Sequence, residues 1–243
     1  MSEFVAPRII ETDAIRLRPF VSEDAQALFS VLLGDPEVTA WLPMPTHADI
    51  EETRAFIRRC DAGWQSGTRY TWALEDAASA TLLAAIELRP EPPRAEIGVV
   101  ISKRSGHRRR RASLAALLKL IGWLLSQPQL CRIHAYCAPE GAAASTMPRL
   151  GFKLEGRLTN WEPRPNQGRI AGDALLFSIT RDQADPQAPS IHRLGHADRV
   201  RALHCMGSRL QAASQVALLV ATQTITQTTT STTHEPRASN RFA

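Results

Sequence analysis

The sequence predicts a mixed α/β fold, of the α+β type: a mostly antiparallel sheet with helices on both faces. Three observations carry this. Three apolar strand-like runs between Tyr70 and Ser102 are joined by short turn-like links, "DAASA" and "RPEPPR", which is the pattern of an antiparallel meander. Segments with helical apolar spacing stand before and after that meander. Two further strand-like runs close the patterned region near Thr180. Strands joined as hairpins, with helices inserted among them, need cover on both sheet faces.

In chain order, "AIRLRPF" (14–20) sets Ile15, Leu17 and Pro19 against Arg16, Arg18 and Phe20, a strand stopped by proline. Ser22 is the expected N-cap of a helix with Glu23 and Asp24 in its first turn and Ala25, Leu28, Val31 and Leu32 inward. "GDPEV" breaks it. Thr46 and Asp49 then open a second helix with Ile50, Phe56 and Ile57 inward, and "GWQSGT" ends it. The meander strands are "YTWALED", "TLLAAIEL" and "AEIGVVIS". A helix over Arg111–Ser126 carries Leu114, Leu117, Leu118, Ile121 and Leu125 inward, until "QPQL" stops it. "CRIHAYC" reads as a strand, "EGAAASTMPRL" as a short helix, "GF" as its stop, and "FKLEGRLTNW" and "DALLFSIT" as the last strands.

Composition bounds the function. The chain has 243 residues, 44% of them apolar, enough for a packed core over most of its length. The net charge of +5 suits an anionic ligand without requiring a nucleic acid. Cys60, Cys131, Cys137 and Cys205 form no C-x-x-C pair and have no histidine at metal-ligand spacing, so no metal is expected and the thiols read as small buried side chains. "MSEFVAPRIIETD" has no apolar signal core, and no run reaches the roughly 18 apolar residues of a membrane span, so the expected compartment is the cytoplasm. Residues 1–181 are expected to form the domain. Residues 182–243 contain "TQTITQTTTSTT" and are expected to be a low-complexity, mostly disordered tail, with room for one helix near 209–221.

The order of elements, with "TDAIRLRPF" first, "AEIGVVIS" in the middle strand and "RLGFKLEGRL" late, resembles the GNAT N-acetyltransferases. "RPN" (164–166) and "DALLFSIT" are similar to the closing hairpin of the RimJ/RimL-like branch, and the resemblance spans Ile9 to about Arg181. It implies transfer of an acetyl group from acetyl-CoA to an amine, on a small molecule such as an antibiotic or on a protein N-terminus, by a monomer or homodimer with no membrane or nucleic-acid partner.

The resemblance places the base at Glu96. The local sequence agrees: a carboxylate inside an apolar strand needs a reason. The plain alternative is a Glu at the sheet edge paired with Arg94 or Arg69. The resemblance also implies that Val99, Val100 and Ile101 offer backbone to the pantetheine arm, where family members splay two strands. The family's pyrophosphate turn has the pattern Gln/Arg-x-x-Gly-x-Gly/Ala. It fits in two registers, one using Lys103, Gly106 and Arg108, the other His107, Arg110 and Ala112. Arginine stands at a glycine position in both. It cannot copy a bare backbone, yet Arg108, Arg109, Arg110 and Arg111 can supply charge-assisted bonds to phosphates.

For the acid, the family uses a hydroxyl in the helix after "CRIHAYC". Here Glu140 or Gly141 and Ala143 or Ala144 stand at its Asn and Ser positions, leaving Ser145, with Thr146 behind it. Tyr136, on the preceding strand, is expected to face the core or the other side. Trp41 and Trp161 are candidates to line the acceptor pocket; Trp72 and Trp123 read as core.

Two alternatives stand beside the enzyme. One is a catalytically impaired GNAT scaffold that binds CoA or a protein partner, which the arginine and alanine departures favour. Segments shifted in reading frame around Arg108 and after Arg181 would leave the same pattern. The other is nucleic-acid binding through "RRRR", ranked last because the run is short and leads straight into an apolar helix.

Overall fold

An eight-stranded sheet with the order β1-β2-β3-β4-β5-β6-β8-β7 organises the protein, and every adjacent pair except one is antiparallel. The computed structural model describes residues 4–103 and 107–181, with only the backbone of 107–110. The expected tail and the domain boundary lie outside those residues, as does Gly106.

The strands are β1 (Ile10–Glu11), β2 (Ile15–Pro19), β3 (Tyr70–Asp76), β4 (Leu82–Glu91), β5 (Arg94–Ile101), β6 (Arg132–Cys137), β7 (Lys153–Arg164) and β8 (Arg169–Thr180). The helices are α1 (Ala25–Leu28), α2 (Pro36–Thr39), α3 (Ile50–Ser66) and α4 (His107–Ser126). Strand alternation separates two apolar clusters. Ile86, Leu88, Ala95 and Ile97 pack with Ala116, Leu117, Leu120, Ile121 and Leu124 of α4. Ala73 and Ala85 pack with Leu28, Ile57 and Cys60 from α1 and α3, and Val100 lies against them. Side chains two apart on a strand share a face and neighbours do not, so the helices cover both faces, as the sequence predicts.

Local chemistry explains where the elements depart from expectation. The first helix is not continuous. It enters through a 3₁₀ turn, Ser22–Asp24, and passes from α1 into a π-type segment, Phe29–Leu33. Ser22 does not cap it. The Asp24 carboxylate accepts from the Val21 amide at 2.8 Å and is also held by Arg18. "GDPEV" does more than break a helix: Asp35 accepts from the Glu37 amide at 2.9 Å and caps α2, with Pro36 in its first turn. Asp49 alone caps α3, accepting from the Glu52 amide at 3.0 Å, while Glu52 reaches back to the Ala48 amide at 2.8 Å. Gly63–Ser66 stays helical, and the stop is Gly67 at φ 68°, a conformation that favours glycine.

The buried side of α4 centres on Ala116, Leu120 and Leu124. Leu117 and Ile121 are buried as expected; Leu114, Leu118 and Leu125 sit at its margins. Residues 139–146 form turns rather than a helix, followed by a 3₁₀ turn, Met147–Leu150. Pro148 lacks an amide proton and Gly151 takes φ 86°, so this stretch closes early. Trp72 is fully buried, and Trp123 packs on Phe4 with ring centroids 5.9 Å apart.

Candidate active site

The one parallel contact in the sheet is short. β5 and β6 pair only at Arg94↔Arg132, Ala95↔Ile133 and Glu96↔His134. β5 then continues to Ile101 against β4, and β6 continues to Cys137 against β8. A wedge therefore opens from Glu96 toward the C-terminal end of β5, where the chain leads into the N-terminus of α4.

The β4–β5 ladder decides which backbone groups face the wedge. The Ser102 amide donates to the Leu83 carbonyl at 2.9 Å. Alternation along an antiparallel ladder then turns the N–H and C=O of Val100 and Gly98 toward β4, and those of Val99 and Ile101 away from it. Of the three strand residues predicted to meet a pantetheine arm, two direct backbone into the wedge. The third, Val100, sends its side chain to the α1–α3 cluster. Unpaired strand groups and the positive end of a 20-residue helix fit an amide-bearing, phosphorylated ligand. Arg111 is exposed and Ala112 packs at the margin of the core. The side chains of Arg108, Arg109 and Arg110 lie outside the described residues.

Glu96 sits at the last paired position before the wedge. Its carboxylate accepts from Arg89 at 2.9 Å. Neither Arg94 nor Arg69 pairs with it: Arg94 holds Glu91 at 2.8 Å, and Arg69 lies 3.7 Å from Glu87. Arg89 is shared, since it also contacts Glu87 at 2.6 Å. Loss of water around Glu96 pushes its carboxyl above the ordinary carboxylate range; Arg89 opposes this, and Glu87, Glu162 and Glu91 add to it. A carboxylate of raised basicity beside an open wedge can take a proton from an ammonium group.

Tyr136 corrects an expectation. It lies two residues beyond His134, the partner of Glu96, and so faces the same side as Glu96. The Glu96 charge also contributes to the raised pKa of its phenol, after the larger effect of burial. Its ring meets Trp161 at 5.6 Å and 40°, and His134 edge-on at 5.6 Å and 82°. Strand register alone would have given Tyr136 its face, had the pairing of β5 with β6 been fixed first.

The hairpin that carries Trp161 is held in place. Asn166 donates from Nδ2 to the carbonyls of Thr39 (2.7 Å) and Met44 (2.9 Å), and its Oδ1 accepts from the Thr46 amide (2.8 Å) and hydroxyl (3.1 Å). Gln167 donates to the Ala40 carbonyl at 2.9 Å. The last hairpin is thus tied to the α2–α3 loop, on which Trp41 is half-buried. A Cβ built on Gly141 would lie 3.7 Å from the Cβ of Trp41, so the loop also abuts the turn after β6. On that turn Ser145 is exposed and donates to the Ala142 carbonyl at 3.0 Å. The role of Asn166 as a clamp is absent from the sequence reading, where "RPN" enters only as a likeness.

A family model described as "Acetyltransferase (GNAT) domain" matches residues 14–153, more than half of the chain. The chain belongs to the GNAT acetyltransferase family. It is an acyltransferase enzyme by that membership. A curated relative, the uncharacterized N-acetyltransferase YoaA of Bacillus subtilis (strain 168), is 28% identical over 177 residues, covering 71% of this chain and 97% of that protein. Among solved structures, the microcin C7 self-immunity acetyltransferase MccE, in complex with acetyl-CoA and AMP, is similar at a TM-score of 0.63 and 17% identity, covering 73% of this chain and 98% of that one. RimJ of Mycobacterium smegmatis, in complex with CoA-disulfide, is similar at 0.58 and 23%, covering 76% and 90%. The fold is that of these acetyltransferases. Among the described residues, no helix is long and apolar enough to cross a membrane, and no group of three or more His, Cys, Asp or Glu side chains is placed to hold a metal ion.

Proposed function

We propose that this chain transfers an acetyl group from acetyl-CoA to a primary amine. The observation that carries the proposal is the position of Glu96: a partly desolvated carboxylate at the point where β5 and β6 part. Acetyl-CoA, as co-substrate, supplies the thioester carbonyl that the amine attacks.

The chain's own residues have the following roles. The backbone of Val99 and Ile101 holds the pantetheine amides, and Val100 fixes the strand against the helices. Gly106, Ala112 and the arginines 108–111 at the start of α4 take the pyrophosphate and the 3′-phosphate. Arginine forks replace the bare amides of a glycine turn there. Glu96 accepts one proton from the ammonium form of the acceptor. The amine nitrogen then forms the new N–C bond as the C–S bond breaks. The second proton leaves nitrogen, and one proton goes to the departing thiolate. Two hydroxyls can deliver it. Ser145 must first release the Ala142 carbonyl, whereas the Tyr136 hydroxyl makes no hydrogen bond among the described residues and Tyr136 shares the face of Glu96. Trp41 and Trp161 line the acceptor side. The acceptor is a small molecule or a protein N-terminus.

Calorimetric titration with acetyl-CoA, run beside an acetyl-transfer assay over a panel of amines, tests this. Binding and turnover by the full chain are expected. Glu96→Gln should keep binding and lose turnover, and alanine at all four of Arg108–Arg111 should weaken binding. Absence of heat with the unmodified chain would overturn the proposal. Binding without turnover on any amine would favour a CoA-binding scaffold.

A further inference from the structure

The strand floor beside Glu96 is bare. Glu96, Gly98 and Val100 share one face of β5. Val100 packs against the α1–α3 cluster, but a Cβ built on Gly98 meets no atom within 4 Å. The helical cover thus ends between Val100 and Gly98, and open space begins above Gly98, next to the Glu96 carboxylate. Across the wedge stand the rings of Tyr136 and Trp161. Trp161 is 53% exposed, a large apolar surface to leave in water on a strand. Its hairpin is pinned through Asn166, and its ring rests against that of Tyr136.

We propose that the space above Gly98 is the acceptor slot, and that Gly98, Tyr136 and Trp161 make the enzyme selective for primary amines carrying a flat aromatic group. This rests on Glu96 as the proton acceptor. The glycine leaves the strand floor open where a side chain would otherwise stand. Tyr136 and Trp161 supply an aromatic wall that a flat substituent covers, removing apolar surface from water. The ammonium end then lies toward Glu96, beside electron-rich ring faces that also favour a cation. A polar, flexible amine of the same charge gains none of the aromatic contact.

The test compares 2-phenylethylamine with n-propylamine, using the full chain and two readouts. One is acetyl transfer at saturating acetyl-CoA; the other is amine binding by calorimetry in the presence of CoA, which needs no turnover. A preference for the aromatic amine of about three- to tenfold is expected in both, the size of one aromatic contact. Trp161→Ala should collapse that ratio toward one. Gly98→Val places a β-branched residue in open space on a strand, so thermal stability should hold while the preference falls by a similar factor and acetyl-CoA affinity stays unchanged. Transfer with no aromatic preference, or a preference untouched by both variants, overturns the slot and leaves the acetyltransferase proposal standing. Selective binding without transfer keeps the slot and overturns the transfer. Neither binding nor transfer overturns both.

Discussion

Two carboxylates in the sheet, Glu75 on β3 and Glu96 on β5, occupy strands that are otherwise largely apolar. Glu75 is buried and saturated: Arg18 donates to it from Nε at 3.0 Å and lies 2.8 Å away through Nη2, and the same guanidinium grips Asp24 with two bonds of 2.7 and 2.8 Å. Those bonds join β2, β3 and the entry to α1, and they hold Arg18 charged, its pKa raised first by Asp24. Glu96 has one arginine, shared with Glu87, and its side chain keeps 32% of its exposure. A buried carboxylate with every partner in place is part of the scaffold. A desolvated one, half-partnered and beside open space, is equipped to exchange a proton.

The widest separation of the two is expected from paired variants. Glu96→Gln should lower kcat/KM by about 10²–10⁴-fold, the usual worth of a general base, with thermal stability unchanged or slightly raised. Gln keeps an oxygen for Arg89 and removes a charge that the fold partly desolvates. Glu75→Ala should do the reverse. It takes one of two carboxylate partners from Arg18, which keeps Asp24, and is expected to cost about 1.5–3 kcal/mol of unfolding free energy by denaturant titration, while the fraction that still folds keeps its turnover. Equal losses of stability in both variants would erase the distinction.

A smaller effect is expected at the clamp. Asn166→Ala leaves the Thr46 amide and two carbonyls without their partner. It should cost about 1–3 kcal/mol and raise KM for the amine more than it lowers kcat, because it frees the acceptor side and leaves Glu96 in place. Asn166→Asp keeps the acceptor for Thr46 but sets a carboxylate against the Thr39 and Met44 carbonyls, so it should not rescue.

The sheet was legible because hairpin strands advertise themselves by alternation and turn residues, and "AEIGVVI" carried its carboxylate in view. The wedge was not. Whether β5 and β6 stay paired for three residues or eight is set by long-range register, and nothing in "RIHAYC" records it. The face of Tyr136 followed from that register and was lost with it. Ser145 illustrates a second limit. Small residues in "EGAAASTMP" suggest a helix, but Pro148 and Gly151 truncate it, and the serine hydroxyl turns to its own backbone. As a letter between two apolar residues, Gly98 carries no signal of its own. Its meaning lies in the absence of a neighbour above it, which only packing reveals.

The pH profile sharpens the comparison further. Glu96 must be ionised to accept a proton, so kcat/KM should fall on the acid side along a limb that lies above the ordinary carboxylate range. Arg89 opposes the upward shift, so Arg89→Met should move that limb to higher pH. Stability carries the opposite mark. The unfolded chain gives up this proton more readily than the folded one, so Glu96 lowers stability as pH rises from the ordinary carboxylate value through the raised one. Glu96→Gln should remove both the activity limb and that slope. A limb that survives Glu96→Gln would assign the proton to another group.

The smallest effect is expected at the most strongly shifted carboxylate. Glu155, on β7, is pulled down to about 2, first by Arg132 and then by Ser178, both of which donate to it. Its depressed pKa means that the pair adds stability above the ordinary carboxylate range and loses it as pH falls toward about 2. Yet the pair lies at the surface, its side chains 28% and 37% exposed, where water and salt screen the attraction. Glu155→Gln should therefore cost only about 0.5–1 kcal/mol at neutral pH, less at high salt, and leave acetyl transfer unchanged. If it cost as much as Glu75→Ala, a large pKa shift would itself signal a large structural role. The expected small cost says otherwise: what marks Glu96 is the direction of its shift and the open space beside it, not the shift's size.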